Sequence, residues 1–182
     1  MNSGISDCSQ RISIVGTSGS GKTTLARQIS QRLAISHVEL DALHHEPNWA
    51  EPPIDVFRKR VEQALSGDSW VVDGNYSKVR DIVWSRADTV VWLDYPLPVI
   101  MTRLSRRTLR RVVTQEELWS GNRETWRQTF SRDSILLWAL QSYPKYRKEY
   151  PMLFAQPEYG HLKVVQMRSP KTTQTWFSSW TT

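Results

Sequence analysis

The chain has 182 residues, is 39% apolar with nine Trp and six Tyr, and carries a net charge of +6. That length suits one domain with a full core, and no apolar run approaches the roughly 18 residues a membrane span needs. Met1 to Gln10 is polar and Cys8 is the only cysteine, so the sequence predicts no export signal, no internal disulfide and a reducing, cytoplasmic setting.

Short apolar runs alternate with helical patterns, the arrangement expected of a parallel sheet with crossover helices. Arg11 to Val15 reads as the first strand. Thr23 to Leu33 reads as a helix, with Leu25, Ile29 and Leu33 spaced four apart along one face. His37 to Leu40 reads as a second strand ending at Asp41, and a polar, aromatic loop through His44, His45, Trp49 and Pro53 follows it. Ile54 to Leu65 is a helix stopped by Gly67. Trp70 to Val72 is a buried strand ending at Asp73. Tyr76 to Arg86 is a helix, and Thr89 to Leu93 is another buried strand, ending in Asp94-Tyr95-Pro96. Helices occupy most of Leu97 to Tyr150, with a break near Ser120-Gly121-Asn122. His161 to Met167 is the last strand, and Ser169-Pro170 opens a terminal helix with Pro in a tolerated first-turn position. The expected fold is α/β, a five-stranded parallel doubly wound sheet in one domain spanning 1–182. Such sheets bind ligands at the carboxyl ends of their strands, where Asp41, Asp73 and Asp94 fall.

Gly16-Thr17-Ser18-Gly19-Ser20-Gly21-Lys22-Thr23 matches the P-loop pattern GxxxxGK[ST] in full, between a strand and a helix as that motif requires. Its glycines let backbone N–H groups wrap a phosphate, and the following helix adds its positive end. The residues expected to cradle ATP are Gly16, Ser18, Gly19, Ser20, Gly21, Lys22, Thr23 and Thr24, with Lys22 reaching the β- and γ-phosphates. The Thr23 hydroxyl is expected to ligate Mg²⁺. Asp73, delivered by an apolar strand, has the form of a Walker B acid that holds the same ion through water. Asp94 competes for that role but reads better as a strand exit capping the next helix. A P-loop alone names no reaction. The chain lacks the NKxD and DxxG motifs of GTPases and the LSGGQ signature of ABC transporters, and it is short for an AAA-type module. The compact kinase branch remains.

Trp70 to Arg110 resembles the core of adenylate-kinase-type nucleoside monophosphate kinases. Their DGFPR is echoed by Asp73-Gly74-Asn75-Tyr76-Ser77, and their Arg-rich helix by Arg103-Leu104-Ser105-Arg106-Arg107. The strings Glu39-Leu40-Asp41-Ala42-Leu43-His44-His45 and Leu118-Trp119-Ser120-Gly121-Asn122-Arg123-Glu124 resemble an adenylate-kinase-like bacterial P-loop group often labelled "DNA topology modulation protein". That label establishes no activity. The resemblance implies an acceptor-side insert at about 42–67 and a helical lid at about 114–132. Ser77 stands where the family has the arginine that holds the acceptor nucleotide. Arg80, Arg58 or Arg60 is left to supply a phosphate contact, or the acceptor is not AMP.

The charge is concentrated, because residues 100–132 hold eight Arg, no Lys and three Glu. Arg103, Arg106, Arg107, Arg110 and Arg111 share one helical face with no acidic residue among them. The competing readings are a phosphate-binding stripe and a solvated basic face. The resemblance lays this face over the nucleotide phosphates, with Arg103 and Arg107 the best candidates for contact. Arg123 and Arg127 of the lid are candidates to bring charge to the transferring phosphoryl group. Arg168, after the last strand, resembles the loop that touches adenine, although a plain helix start explains it as well. Asp41 sits where similar small-molecule kinases place the carboxylate that takes the acceptor's hydroxyl proton. The alternative, a zinc site among Glu39, Asp41, His44 and His45, does not match the helical HExxH spacing. Trp49 either lines an acceptor pocket or packs beneath its loop.

The expected function is transfer of the ATP γ-phosphate to a small acceptor, with ATP and Mg²⁺ as cofactors, by a monomer or weak dimer. The rival readings are an ATP-binding regulatory protein without turnover and a nucleic-acid-associated protein, for which the chain offers no recognition motif.

Overall fold

The computed structural model describes residues 10–125 and 134–180. Among these residues five strands form one parallel sheet: β1 (Arg11–Gly16), β2 (Ser36–Glu39), β3 (Trp70–Asp73), β4 (Thr89–Leu93) and β5 (Lys163–Met167), ordered β2-β3-β1-β4-β5. The helices between and after them are α1 (Lys22–Leu33), α2 (Leu40–His44), α3 (Ile54–Ala64), α4 (Arg80–Arg86), α5 (Leu97–Thr114), α6 (Ile135–Phe154) and α7 (Pro170–Ser178). No helix among the described residues is long and apolar enough to cross a membrane.

The central strands are apolar on both faces because helices cover both. Side chains alternate between two cores, as a strand's two-residue period dictates. Trp70 and Val72 of β3, with Val90 and Trp92 of β4, enter one cluster with Phe57, Trp84 and Tyr150. Val71, Val91 and Leu93 enter the other, with Ile12, Leu25, Ile29 and Ile100. Trp70 is 1% exposed, and burying a side chain of that size contributes roughly 2–3 kcal/mol. Both edge strands are less buried than the three between them, as an edge requires.

Three boundaries differ from the sequence reading, each for a local reason. β2 stops at Glu39, where its pairing with Asp73 ends, so Leu40 and Asp41 open a short helix instead of closing a strand. The expected helix from Tyr76 is a 3-10 turn over Ser77–Val79 before α4 begins at Arg80. β5 begins at Lys163, because its register with β4 starts at Thr89. At the other end, Ser169 caps α7 by accepting the Thr172 N–H at 3.1 Å, with Pro170 in the first turn. The sheet thus delivers Gly16, Glu39, Asp73 and Leu93 to one end, and the candidate site lies there.

Candidate active site

The P-loop arches between β1 and α1 and packs against α5. Gly19 has φ +86°, and a Cβ there would lie 2.9 Å from Leu104 Cβ and 3.0 Å from the Ile100 carbonyl, so only glycine fits. The loop borders a cleft of about 1920 Å³. Single-ligand pockets run to roughly 300–1,000 Å³, so this one has room for two ligands side by side.

Lys22 Nζ donates to the Gly16 carbonyl at 2.9 Å and the Thr17 carbonyl at 3.4 Å. Burial pushes its pKa down, the Asp41 and Asp73 carboxylates pull it up, and Arg107 lowers it further. Four residues read from the sequence therefore meet in one electrostatic neighbourhood. Thr23 donates its hydroxyl to Asp73 Oδ2 at 2.7 Å, and His37 Nε2 donates to Asp73 Oδ1 at 2.7 Å. Asp73 is 5% exposed, so these two partners satisfy a carboxylate that water barely reaches. The Thr23 and Asp73 oxygens at the end of the P-loop are the hard donors that suit Mg²⁺. Among the described residues no three His, Cys, Asp or Glu side chains gather to hold a metal, and the segment from Glu39 to His45 forms no such cluster.

Asp41 faces the same cleft from α2 and accepts a hydrogen bond from the Tyr76 hydroxyl at 2.7 Å. Burial and the adjacent Asp41 charge hold the Tyr76 phenol far above its ordinary pKa, so it stays a donor. Tyr76 lies against His44, with ring centroids 4.5 Å apart. His44 is buried, and burial pushes its pKa below the ordinary histidine value.

The arginine stripe divides in two. Arg103, Arg107, Arg110 and Arg111 all line the cleft and differ in their partners. Arg103 donates to the Ser20 carbonyl at 3.2 Å and lies 5.6 Å over the Tyr95 ring. Arg107 is pressed down in pKa by burial and then by Arg111, and its Nε has no hydrogen-bond partner among the described residues. Arg110 instead pairs with Glu116 at 2.9 Å, and Arg111 with Glu124 at 2.9 Å. The acidic relief missing within the helix is therefore supplied by the chain that follows it. Arg106 is exposed and does not line the cleft.

Other sequence-derived candidates fall elsewhere. Arg123 is exposed, faces Glu117 at 3.4 Å and does not line the cleft. Arg127 lies outside the described residues. Arg168 borders a separate, shallower hollow with Trp92 and Arg147, and Pro170, Thr173 and Phe177 line the cleft on that side instead. Asp94 caps no helix, because Gln166 Nε2 at 2.9 Å and Arg147 Nε at 3.1 Å take both its oxygens. Arg58 forms a two-pronged pair with Asp81, Arg60 bonds Glu46 and the Leu43 carbonyl, and Arg80 stacks over Trp84.

Three side chains given no role by the sequence hold the site together. His37 orients Asp73. Asn75 binds both the N–H and the carbonyl of Gly16, while its Oδ1 also accepts the Tyr150 hydroxyl. Asn122 is 5% exposed and joins the segment after α5 to the loop after α2. His37 had one legible signal, since it lies two residues before Glu39 and shares its strand face. Asn75 sat inside the Asp73-Gly74-Asn75-Tyr76 string, but its reach back to Gly16 crosses the sheet and has no sequence spacing.

P-loop small-molecule kinases are distant relatives of the chain. It is 33% identical to a shikimate kinase of Thermosynechococcus vestitus over 120 residues, 58% of this chain and 65% of that protein. It is 29% identical over 123 residues to the uncharacterized protein YqaC of Bacillus subtilis, covering 66% and 68%. A cytidylate kinase of Pyrococcus horikoshii is 29% identical over 112 residues, covering 53% and 56%. The crystal structure of shikimate kinase from Aquifex aeolicus superposes with a TM-score of 0.53 at 15% identity, over 92% of this chain and 91% of that one. This likeness shows the fold. No family model matches the chain.

Proposed function

We propose that the chain is an ATP-dependent phosphotransferase that moves the γ-phosphate of ATP to a hydroxyl of a small acceptor. The observation that carries the reading is the shared cleft, where Lys22, Thr23 and Asp73 beside the P-loop meet the Asp41–Tyr76 pair. Backbone N–H groups of the P-loop, Lys22, Arg103 and Arg107 bind and neutralise the phosphates. Thr23 and Asp73 would hold Mg²⁺, which supplies further charge neutralisation. Asp41, steadied by Tyr76, accepts the acceptor's hydroxyl proton as its oxygen bonds the γ-phosphorus and the bond from that phosphorus to the β–γ bridging oxygen breaks. ADP leaves.

General-base help matters for an alcohol and not for a phosphate that is already ionised. Asp41 thus favours an alcohol, as does the likeness to proteins named shikimate kinase. On this reading the chain sits with the adenylate-kinase-like bacterial P-loop proteins that its strings around Asp41, Asp73 and Trp119 resemble. It acts in the cytoplasm as a monomer or weak dimer. The test is ADP release from ATP-Mg with and without a panel of alcohols. Acceptor-dependent release is expected, and Lys22→Ala should lower it by about 10³-fold or more while leaving the thermal midpoint unchanged. Release that ignores both acceptor and Lys22 would overturn the proposal.

A further inference from the structure

We infer that the acceptor is an uncharged alcohol carrying a flat ring, bound against an aromatic wall of His45, Trp49 and Trp119. This rests on the kinase reading above and names the substrate class of its site. The first observation is a charge inventory. An acceptor phosphate or carboxylate needs a free cation, and Arg is the side chain suited to it. Arg58, Arg60 and Arg80 are tied to Asp81, Glu46 and the Trp84 ring, and none of the three lines the cleft. Lys78, Arg27, Arg110 and Arg111 do line it, but each faces a carboxylate: Glu51 at 3.8 Å, Glu39 at 3.6 Å, Glu116 at 2.9 Å and Glu124 at 2.9 Å, respectively. Glu39, Asp41 and Glu51 line this end as well, and their charge repels an anion.

The second observation is the wall itself. His45 and Trp119 are stacked, with centroids 5.7 Å apart and an interplanar angle of 27°, and Trp49 meets His45 edge-on at 5.2 Å. None of the three belongs to either hydrophobic core, and all three line the cleft half-buried. Rings left out of the core are nonetheless held firmly. Trp119 Nε1 donates to Glu39 Oε2 at 3.1 Å, and Ser120 Oγ donates to the His45 carbonyl at 2.7 Å. Asn122 accepts the Trp49 N–H at 3.0 Å and donates to the carbonyls of Glu46 and Trp119, each at 2.9 Å. Trp49 has φ +59°, a left-handed conformation that an aromatic residue keeps only when its surroundings enforce it. Aromatic faces fixed in advance and open to a cleft are suited to stacking a planar ligand, because the cost of ordering them is already met.

Flat-ring alcohols include nucleosides and other heteroaromatic alcohols, and the assay separates them. ADP release from ATP-Mg by the full chain is measured with three groups. The first is adenosine, cytidine, guanosine, thymidine and pyridoxine. The second is the 5′-monophosphates of the same nucleosides. The third is shikimate, glycerol and inositol. Turnover is expected in the first group, at least about tenfold higher in kcat/KM than in the other two, and its best member tells nucleoside from other heteroaromatic alcohol. Trp119→Leu should raise KM for that acceptor about tenfold with kcat within about twofold, as the loss of one stacking face predicts, and Trp119→Phe should recover most of it. Trp49→Leu, which leaves the Trp119 contacts in place, should move KM in the same direction. A monophosphate, shikimate or a polyol as the best acceptor would overturn the inference while leaving the kinase reading intact. So would a Trp119→Leu effect confined to kcat. Lys22-dependent ATP binding with no turnover in any group would count against both.

Discussion

The P-loop wall of the cleft is shaped mostly by main chain, and the wall proposed for the acceptor is made mostly of side chains. At the P-loop, backbone N–H groups and glycines do the shaping, and Gly19 approaches α5 so closely that a methyl group would collide. Across the cleft, the surface consists of Asp41, Tyr76, His45, Trp49 and Trp119, drawn from α2, the loop after it, the turn after β3 and the segment after α5. The difference teaches where variation is tolerated. A main-chain cradle serves any nucleotide triphosphate and needs a fixed local pattern. A side-chain wall can change its ligand one residue at a time while the sheet beneath it stays the same.

The comparison can be broken most sharply at Asp41. Asp41→Asn keeps the shape and a partner for Tyr76 but removes the base, so kcat should fall about 10²–10⁴-fold with ATP affinity unchanged. Rapid-quench turnover with isothermal titration of ATP would check it, and a loss of ATP affinity equal to the loss of kcat would merge the two walls into one. The next effect separates the halves of α5. Arg107→Ala should cost about 10²-fold in kcat/KM for ATP on the proposed reading, because Arg107 lines the cleft with the P-loop and its Nε has no partner among the described residues. Arg110→Ala should stay within about twofold, because its exposed pair with Glu116 contributes about 0–1 kcal/mol at most. Equal effects would show that the stripe acts as one basic face.

Asn122→Ala tests whether the acceptor wall is held from one point. It leaves the Trp49 N–H and the Glu46 carbonyl without their side-chain partner, while the Trp119 carbonyl keeps the main-chain N–H of residue 122, so stability should drop by about 1–3 kcal/mol by urea titration. An unchanged midpoint would mean that the segment after α5 docks without it. The smallest effect concerns acid. His44 is kept neutral by burial, so its folded pKa lies below the unfolded value while the unfolded chain still takes up a proton near pH 6.5. Its contribution is full above pH 6.5 and is lost as pH falls below that value. Wild type should therefore lose more stability than His44→Phe between pH 7.5 and 5.5, by about 1 kcal/mol. Parallel pH profiles would remove His44 from the account.

Much of the fold was legible because its signals are local. The inner strands β3 and β4 are short apolar runs, and the P-loop is one contiguous string between a strand and a helix. Strand ends were less legible, because pairing decides them: Leu40 continues the apolar pattern of β2 but has no partner beyond Asp73. Lys22, Thr23, Asp41, Asp73, Arg103 and Arg107 were legible as candidates from motif and spacing, and the structure brings them to one cleft. Arg168 was misplaced because adjacency to a strand end does not say which way a side chain leaves it. The five arginines read as one face, and nothing in helical spacing shows that Glu116 and Glu124 fold back on Arg110 and Arg111. The Asn122 hub was out of reach for the same reason: two of its partners, Glu46 and Trp49, lie more than seventy positions away in the chain.

β1 occupies the middle of the sheet, and both strands that pair with it are made much later. Arg11 pairs with Trp70 on one side, and Ile12 with Thr89 on the other. At about 5–20 residues per second, the strand that carries the P-loop waits several seconds for its first neighbour. Ile12, Ile14 and Val15 spend that interval without the sheet that later buries them, open to pairing with other chains. Codon choice between the two strands lengthens or shortens the wait. Synonymous changes that slow elongation there therefore lower the yield of folded protein while every contact in the finished molecule stays the same.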